Sequence, residues 1–265
     1  MKKLLILLVL SSISFGLLAQ KRSVKKEIDQ KDLVYKNEFS VGIKLLSNSW
    51  SIFGERAKIL SIWKTRFFDF AFMEYKNYKQ TKQQPVDYYN ISSFLDSNKD
   101  YFFGKQNNFY VIHLGYGYKK RIADKADKNG VRLSMTYLGG FSLGLTKPYY
   151  LEYIDSTYVE ENVTTYIIVN ERYSEENADK FLDESLITSA SGFSLGLREI
   201  KPIPGVYGKI GLNFDWASND QFVKALEVGV NLDVYYKRVP IMVGSDHNKP
   251  YFLGAYLSFQ MGKRW

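Results

Sequence analysis

The chain of 265 residues contains no cysteine, two histidines and six prolines. Without a thiol it can hold no disulfide scaffold, no thiolate zinc site, no cysteine nucleophile and no lipid anchor attached through a lipobox cysteine. It also lacks a glycine-rich phosphate loop, an HExxH pattern and an EF-hand loop. The abundant residues are 21 tyrosines, 18 phenylalanines and 19 glycines, and the hydrophobic content of 45% is that of a folded protein.

Long apolar runs are also missing beyond Gln20, which excludes a helical membrane protein. The amino terminus differs, because Lys2 and Lys3 precede an apolar core that is too short to span a bilayer. Small residues then lead to Ala19. This layout predicts a secretory signal peptide over residues 1–19 rather than a buried N-terminal helix.

Removal of that signal would leave a mature chain whose polar and charged first segment, residues 20–36, we expect to be a flexible periplasmic tail. Residues 37–265 would then form the folded domain. Length alone allows one large domain or two small ones, and the sequence contains no solenoid-length repeat or low-complexity tract.

Residues 131–145 show the clearest pattern in the sequence. Side chains on a strand point alternately to opposite faces, and here one face is apolar and aromatic while the other is small and polar. The apolar parity consists of Val131, Leu133, Met135, Tyr137, Gly139, Phe141, Leu143 and Leu145. At fifteen residues the run is far longer than the usual strand of about five or six residues, and long enough to cross a membrane.

The same alternation recurs at 39–45, 66–75, 110–118, 193–198, 206–216 and 222–236. A water-soluble sandwich also alternates, but its polar face should be rich in Lys, Glu and Thr. Here that face carries Gly, Ser, Asn and isolated charges, which suit a crowded interior, and aromatic residues lie near the strand ends. The fold class predicted is all-β: an antiparallel transmembrane β-barrel of the outer membrane, with its interior filled by side chains.

The carboxyl terminus fits this class. Outward positions spaced by two lead to the last residue, and outer-membrane barrels commonly finish on such an aromatic-tipped strand, with which the insertion machinery pairs. Lys263 departs from the pattern. The predicted insertion strand carries Leu257, Phe259, Met261 and Trp265.

The number of strands follows from counting the candidate segments. Nine candidates are 38–46, 50–56, 66–75, 109–121, 131–147, 192–201, 205–217, 221–237 and 250–262. Because single-chain bacterial barrels have even strand numbers, we place a tenth strand within 148–173 and expect ten, with eight or twelve also compatible. Predicted tight connections are Ser47-Asn48-Ser49, Lys128-Asn129-Gly130, Pro204-Gly205 and Ser218-Asn219-Asp220. Residues 175–185 suggest a short helix within a loop.

The inward parity collects four positive and four negative groups. Buried charges must be paired, and the interior of a barrel near eight strands is filled by side chains, so we predict a structural ion-pair network. A selective small pore is the alternative. The predicted members are Lys44, Asp69, Arg132, Arg198, Lys209, Asp215, Glu227 and Asp233.

The sequence offers few residues that could form a catalytic site. A His113–Asp69 or His247–Asp246 dyad can be imagined for a membrane-embedded hydrolase or acyltransferase, but one packed and one solvated histidine is the simpler interpretation. We therefore predict no catalytic, cofactor or metal residues and no enzyme activity. The basic balance, with a pI near 9.2, comes from Lys and Arg scattered through turns among acids, which favours anionic lipid head groups over nucleic acid as partner.

Three stretches carry a resemblance: FGKQNNFYVIHLGYGYKK (103–120), GGFSLGLTKPYYLEY (139–153), and most of 206–265, ending in GKRW. Together they resemble a family of exported outer-membrane β-barrel proteins from Bacteroidota, the PorT-like small barrels, over about two thirds of the mature chain. The resemblance implies location and fold, and it supplies no activity or catalytic residue. Some small barrels of that phylum resemble accessory parts of secretion or envelope-assembly machines.

The sequence thus predicts a small plugged outer-membrane barrel, a structural or accessory component of the cell envelope. Its expected partners are outer-membrane lipid, the insertion machinery during biogenesis, and an envelope protein docked through loops 77–107 and 174–191. A narrow channel is the second prediction and a membrane-embedded enzyme the third.

Overall fold

The strands follow the period-two pattern of the sequence. A computed structural model describes residues 34–77, 79–84, 99–127, 130–160, 163–244 and 248–265. The strands are β1 (Asn37–Leu46), β2 (Ser49–Ser61), β3 (Lys64–Tyr75), β4 (Lys82–Gln83), β5 (Tyr101–Phe102), β6 (Asn107–Ala123), β7 (Arg132–Pro148), β8 (Tyr150–Glu160), β9 (Val163–Arg172), β10 (Ile187–Ala190), β11 (Lys201–Asp215), β12 (Phe222–Tyr235) and β13 (Tyr251–Arg264). A one-turn helix α1 (Ala178–Phe181) lies within the predicted helical stretch 175–185. In the part of the chain so described, no helix is long and apolar enough to cross a membrane.

Eight strands close into an antiparallel barrel in the order β1, β2, β3, β6, β7, β11, β12 and β13, with β13 pairing back onto β1. The predicted barrel class is confirmed, and the expectation of ten strands is wrong. Each barrel strand pairs with the next one along the chain, so the topology is up-and-down.

The register of the strands sets the size of the barrel. We start at Phe39 on β1 and step from each residue to its paired residue on the next strand, around the barrel to β13. The last residue reached is Leu253, whereas the direct β13 partner of Phe39 is Lys263, ten residues further along the chain. A shear of ten over eight strands gives, with standard strand spacings, a strand tilt of about 41° and a Cα radius of about 8 Å. A lumen of that width is filled by inward side chains.

Glycine allows close packing at inward positions of this narrow barrel. A Cβ atom added to Gly140 would collide with the carbonyl oxygen of Leu114 and with the ring of Tyr207. The neighbouring Gly139 faces outward, and its added Cβ would meet nothing nearer than 3.8 Å. The inward glycines therefore make room for large rings in the lumen.

Two predictions fail in the same region, one of a strand and one of a turn. Of the predicted strand 192–201, residues 193–199 form turns and a short 3-10 helix, because Gly196 adopts a positive φ of 80° that interrupts an extended chain. Strand β11 instead begins at Lys201 and runs straight through the predicted Pro204-Gly205 turn. The missing N–H of Pro204 is tolerated because the pairing of β11 with β12 begins only at Gly205, and the Pro204 carbonyl oxygen still accepts from the Tyr236 amide at 3.1 Å.

The predicted tenth strand also lies outside the barrel. Residues 148–173 do contain strands, but β8 and β9 pair with each other and with β10 in a separate three-stranded sheet. We call this sheet, together with helix α1 and the β4–β5 pair, the cap. The cap has its own buried core, to which the chain contributes both before β6 and after β7. The buried side chains are Tyr101, Leu151, Tyr153, Phe181 and Ile187.

The connections divide between the two ends of the barrel. Residues 62–63, 124–131 and 216–221 link strands at the end that holds Asn37 and Arg264, which we call the terminal end. The connections from β1 to β2, from β3 to β6, from β7 to β11 and from β12 to β13 begin and end at the opposite end, the cap end. The predicted turns at 47–49 and 218–220 are confirmed, and Lys128 and Asn129 lie outside the described residues.

Candidate functional site in the barrel lumen

The centre of the lumen is a lysine surrounded by three acids. The Nζ atom of Lys209 lies 3.3 Å from Glu55, 3.5 Å from Glu227 and 3.7 Å from Asp69, and all four side chains are almost fully buried. These residues come from β11, β2, β12 and β3, and the alternation of each strand turns them inward. The register of the barrel brings them to one level.

Hydroxyl groups donate further hydrogen bonds to two of these three acids. The Tyr256 hydroxyl and the Thr136 hydroxyl each donate to Glu227 at 2.8 Å. The Tyr207 hydroxyl donates to Asp69 at 2.8 Å. A buried carboxylate with such partners is held in one place, which makes this part of the lumen rigid.

Two further lysines reach the same acids or their surroundings. Lys119 donates to Glu55 at 2.5 Å and lies 3.8 Å from Glu38. Lys44 has no hydrogen-bond acceptor among the described residues; its Nζ atom lies 5.1 Å from the ring centre of Phe53 and 5.4 Å from that of Tyr256. Lys44 is thus held over aromatic faces rather than in an ion pair.

The terminal end of the lumen holds an arginine network. Arg264 donates to both Glu38 and Asp215 at 2.7 Å, which ties β13 to β1 and β11. Arg132 lies 3.8 Å from Asp215 and 3.1 Å from Asp220. These fork-shaped donors bind several acids at once across the open end of the barrel.

Toward the cap end, Asp233 is the centre of a second buried cluster. It accepts from the Tyr75 hydroxyl and the Asn231 amide at 2.6 Å, and the His113 Nε2 atom lies 2.6 Å from it. The Ser142 hydroxyl donates to the same carboxylate at 3.3 Å. Ser142 therefore faces Asp233 rather than the His113 ring, and no nucleophile–base pair is formed.

An aromatic layer covers this cluster on the cap side. Phe109 stacks on Phe252 at 5.6 Å, and Tyr75 and Tyr235 pack against both rings. Val239 and Ile241 from the loop after β12 complete the layer and are fully buried. We call these six residues the aromatic plug; they close the lumen below the cap.

The structure brings seven of the eight predicted lumen residues to the lumen and excludes one. Lys209, Asp69 and Glu227 lie in the central cluster with Lys44 beside them, Arg132 and Asp215 lie at the terminal end, and Asp233 lies below the plug. Arg198 is a correction. It lies exposed in the 3-10 helix Leu197–Glu199, because the segment predicted as its strand turns at Gly196.

Sequence reasoning missed Glu38, Glu55, Lys119 and Arg264. Glu38, Lys119 and Arg264 continue the inward parity of assigned alternations, so following each alternation to the strand end would have found them. Glu55 lies within the candidate strand 50–56, for which no alternation was assigned. The imagined His113–Asp69 dyad does not form, because Asp233 pairs with His113. His247 and Asp246 lie outside the described residues.

Other predicted segments take the following places. The predicted insertion strand exposes Leu257, Phe259 and Met261 on the outer wall. Trp265, directly after β13, is exposed as well. Of the predicted tail, residues 34–36 are described, and the Lys36 amide donates to the Trp265 carbonyl oxygen at 3.0 Å. Residues 1–33, which include the predicted signal peptide, lie outside the description, as do 85–98 of loop 77–107.

Among the residues that the structure describes, no group of three His, Cys, Asp or Glu side chains could hold a metal ion. The lumen therefore consists of ion pairs, hydroxyl donors and rings. Chemically, this arrangement can fix the strand register and fill the lumen.

No family model and no curated protein matches the chain. Several solved structures are similar to it, among them those of three proteins. The attachment invasion locus protein Ail of Yersinia pestis, in complex with the heparin analogue sucrose octasulfate, is 9% identical with a TM-score of 0.40, covering 88% of this chain and 100% of that one. The N-terminal β-barrel domain of Pseudomonas aeruginosa OprF is 7% identical with a TM-score of 0.35, covering 87% and 98%. Neisserial surface protein A is 10% identical with a TM-score of 0.37, covering 87% and 96%.

Proposed function

We propose that this chain is a small outer-membrane β-barrel with a closed lumen that serves as a structural or accessory component of the cell envelope. One observation carries the proposal: the charges face each other inside the barrel, while the outer wall is apolar. Phe70, Ile210 and Val230 are examples of outward side chains that are about half exposed. A protein dissolved in water would place these two kinds of side chain the other way round.

The height of the apolar wall fits a bilayer. On β12 and at the residue directly after it, the outward residues from Leu226 to Tyr236 are apolar, a length of ten residue steps. At a rise of about 3.4 Å per residue and a tilt of about 41°, this stretch is about 26 Å tall, close to the band of about 25 Å found in such barrels. Trp216 and Trp265 at the terminal end, and Tyr236 and Tyr251 at the cap end, are exposed where ring girdles are expected.

The connections support an orientation. In outer-membrane barrels the periplasmic turns are short and the extracellular loops long. By that rule the terminal end faces the periplasm and the cap faces outside. Export through the predicted signal peptide 1–19 belongs to this proposal.

Solubility tests the membrane assignment. The mature polypeptide should need detergent or lipid to stay monomeric, and it should migrate differently on a denaturing gel with and without heating. A polypeptide that remained dissolved and monomeric without any amphiphile would contradict the assignment.

A narrow channel is the second candidate, and the aromatic plug argues against it. Planar-bilayer recordings should therefore show no steady conductance for the wild-type protein. A triple variant F109A/Y235A/F252A, which thins the plug, should leak more than the wild type. Reproducible conductance of the wild-type barrel would instead favour the channel.

A membrane-embedded hydrolase or acyltransferase is the third candidate. His113 and Ser142 are fully buried between the central cluster and the plug, so a substrate has no direct route to them. Turnover of lipid or peptide substrates by the purified protein, lost in His113→Ala, would overturn the non-enzymatic proposal.

An accessory role requires a partner protein, and we expect the cap to bind it. The cap rises from loops 77–107 and 149–200, and it has a core of its own. The resemblance to Bacteroidota small barrels suggests a secretion or envelope-assembly machine. Affinity purification in mild detergent should recover a stoichiometric envelope protein with the wild type, and less of it with a variant whose cap is unfolded.

A further inference from the structure

A cleft of about 440 Å³ lies between the cap and the barrel rim, on the side of β7, β11 and β12. Four cations line it: Arg172 at the end of β9, Lys201 at the start of β11, and Lys237 and Arg238 just after β12. The side chains of Lys201, Lys237 and Arg238 are exposed, and no carboxylate of the described residues lies within ion-pair distance of them. The cleft thus presents positive charge that the described part of the chain does not neutralise.

The one acid in the lining is already occupied. Glu199 pairs with Arg172, which also lines the cleft, and it accepts from the Tyr150 hydroxyl at 2.6 Å. The lining therefore holds four cations against one carboxylate. An anion entering the cleft would meet three unpaired cations and a neutralised acid.

The height of the cleft relative to the apolar wall points to the source of that anion. Val206 and Val234 are paired on the outer wall, 60% and 41% exposed. The next outward position toward the cap is Tyr236, which is 79% exposed and whose amide donates to the Pro204 carbonyl oxygen. Lys237 and Arg238 follow directly, which places their charges just above the apolar band, at the level of lipid head groups.

We propose that this cleft binds a phosphorylated glycolipid of the outer leaflet, with the phosphate held by Lys201, Lys237 and Arg238. Arginine donates to phosphate through two N–H groups at once, and lysine adds a mobile point charge. The acyl chains lie along the wall below, against Tyr236, Val234 and Val206. The inference rests on the proposed function, because it needs the cap end to face the outer leaflet.

The test uses the full mature chain in phosphatidylcholine vesicles with and without added lipid A, the probe for the glycolipid. Binding is measured for the wild type, for K201Q/K237Q/R238Q, and for K224Q/K263Q. The last variant removes two exposed outward cations at the terminal end and is the matched control. Single R238Q, with a smaller loss expected, serves if the triple variant does not insert.

The triple variant should bind lipid A at least roughly tenfold more weakly, since each surface cation contributes about fivefold to binding an anionic lipid. The control should bind as the wild type does, and dephosphorylated lipid A should bind the wild type as weakly as the triple variant binds lipid A. Equal loss in the control would overturn the site. Displacement of lipid A by inorganic phosphate at equal concentration would show a free-phosphate site and overturn the lipid assignment.

Insertion separates the two proposals. A wild-type barrel that inserts into plain phosphatidylcholine vesicles but does not distinguish lipid A refutes the cleft and leaves the outer-membrane barrel standing. A polypeptide that never inserts and stays monomeric in water refutes the barrel in the membrane itself.

Discussion

The Nζ atom of Lys209 lies 3.3 Å from the Oε1 atom of Glu55, although 154 positions separate the two residues in the chain. Glu55 also accepts from Lys119, so one carboxylate joins β2, β6 and β11. Such a bridge across the lumen exists only when the barrel is closed in the right register. The ion pairs therefore report directly on strand pairing.

Removal of Lys209 should destabilise the barrel strongly. Lys209→Met leaves Glu55, Asp69 and Glu227 buried without their shared cation, a loss of about 3–5 kcal/mol in the free energy of unfolding. Denaturant unfolding in detergent micelles, followed by tryptophan fluorescence, measures it. The exposed Lys79→Met is the control and should change stability by less than about 0.5 kcal/mol. Equal effects of the two substitutions would show that the central cluster does not stabilise the fold.

The two adjacent glycines of β7 should differ in how well they tolerate substitution by alanine. Gly140→Ala places a Cβ against the Leu114 carbonyl and the Tyr207 ring, and should lower the free energy of unfolding by about 1–3 kcal/mol. Gly139→Ala points outward into open space and should change it by less than about 0.5 kcal/mol. The same micelle unfolding assay compares them. A reversed order would mean that the assigned inward and outward faces are wrong.

The cap should unfold without the barrel when its core is cut. Phe181 is buried and packs on Tyr153 and Tyr173, so Phe181→Ala should cost the cap about 3–5 kcal/mol. Its neighbour Leu182 is 43% exposed, and Leu182→Ala is the matched control. Limited proteolysis should cleave the cap of F181A and spare that of L182A. Unheated gel mobility should show a folded barrel in both, and loss of the barrel band in F181A would contradict separate cap stability.

Stability of the cap should rise with pH between about 8 and 9, below the pH at which the buried tyrosines Tyr149 and Tyr153 would ionise on unfolding. Burial lowers the pKa of the Lys105 ammonium to about 8, beside the Phe102 and Tyr149 rings. An unfolded cap restores the ordinary lysine pKa of about 10.4, so within this window the unfolded state binds more protons and rising pH favours the folded state. The gain across this window is roughly 1 kcal/mol.

Hydrogen exchange of the cap amides, corrected for intrinsic rates, measures this pH dependence. Lys105→Met has no charge to lose and should show a flat profile over the same window. A wild-type profile as flat as that of the variant would show that Lys105 is not desolvated in the folded cap.

The faces of the strands were predictable because the alternation is a local property. Each residue from Val131 to Leu145 turns to the opposite side of its neighbour whatever the strand pairs with. For the same reason Lys209, Glu227 and Asp233 could be placed in the lumen from their parity alone. Glu38 and Arg264 lie on the same parity and were missed only because the inward positions were not followed to the strand ends.

The number of barrel strands could not be predicted in this way. The segment 149–169 has ordinary strand composition, yet β8 and β9 join the cap, because strand propensity does not say which edge a strand will pair with. The segment around Phe193 alternates correctly and is not a strand, since one positive φ at Gly196 ends the extended chain.

By itself the sequence determined that the chain forms amphipathic strands with apolar outer faces and charged inner faces. Both features come from side-chain order along an extended backbone, which needs no distant partner. Only the tertiary structure decided that eight strands close with a shear of ten, that Glu55 meets Lys209, and that Asp233 rather than Asp69 pairs with His113. Those choices depend on register between strands far apart in the chain, and register is set when all the edges pair at once.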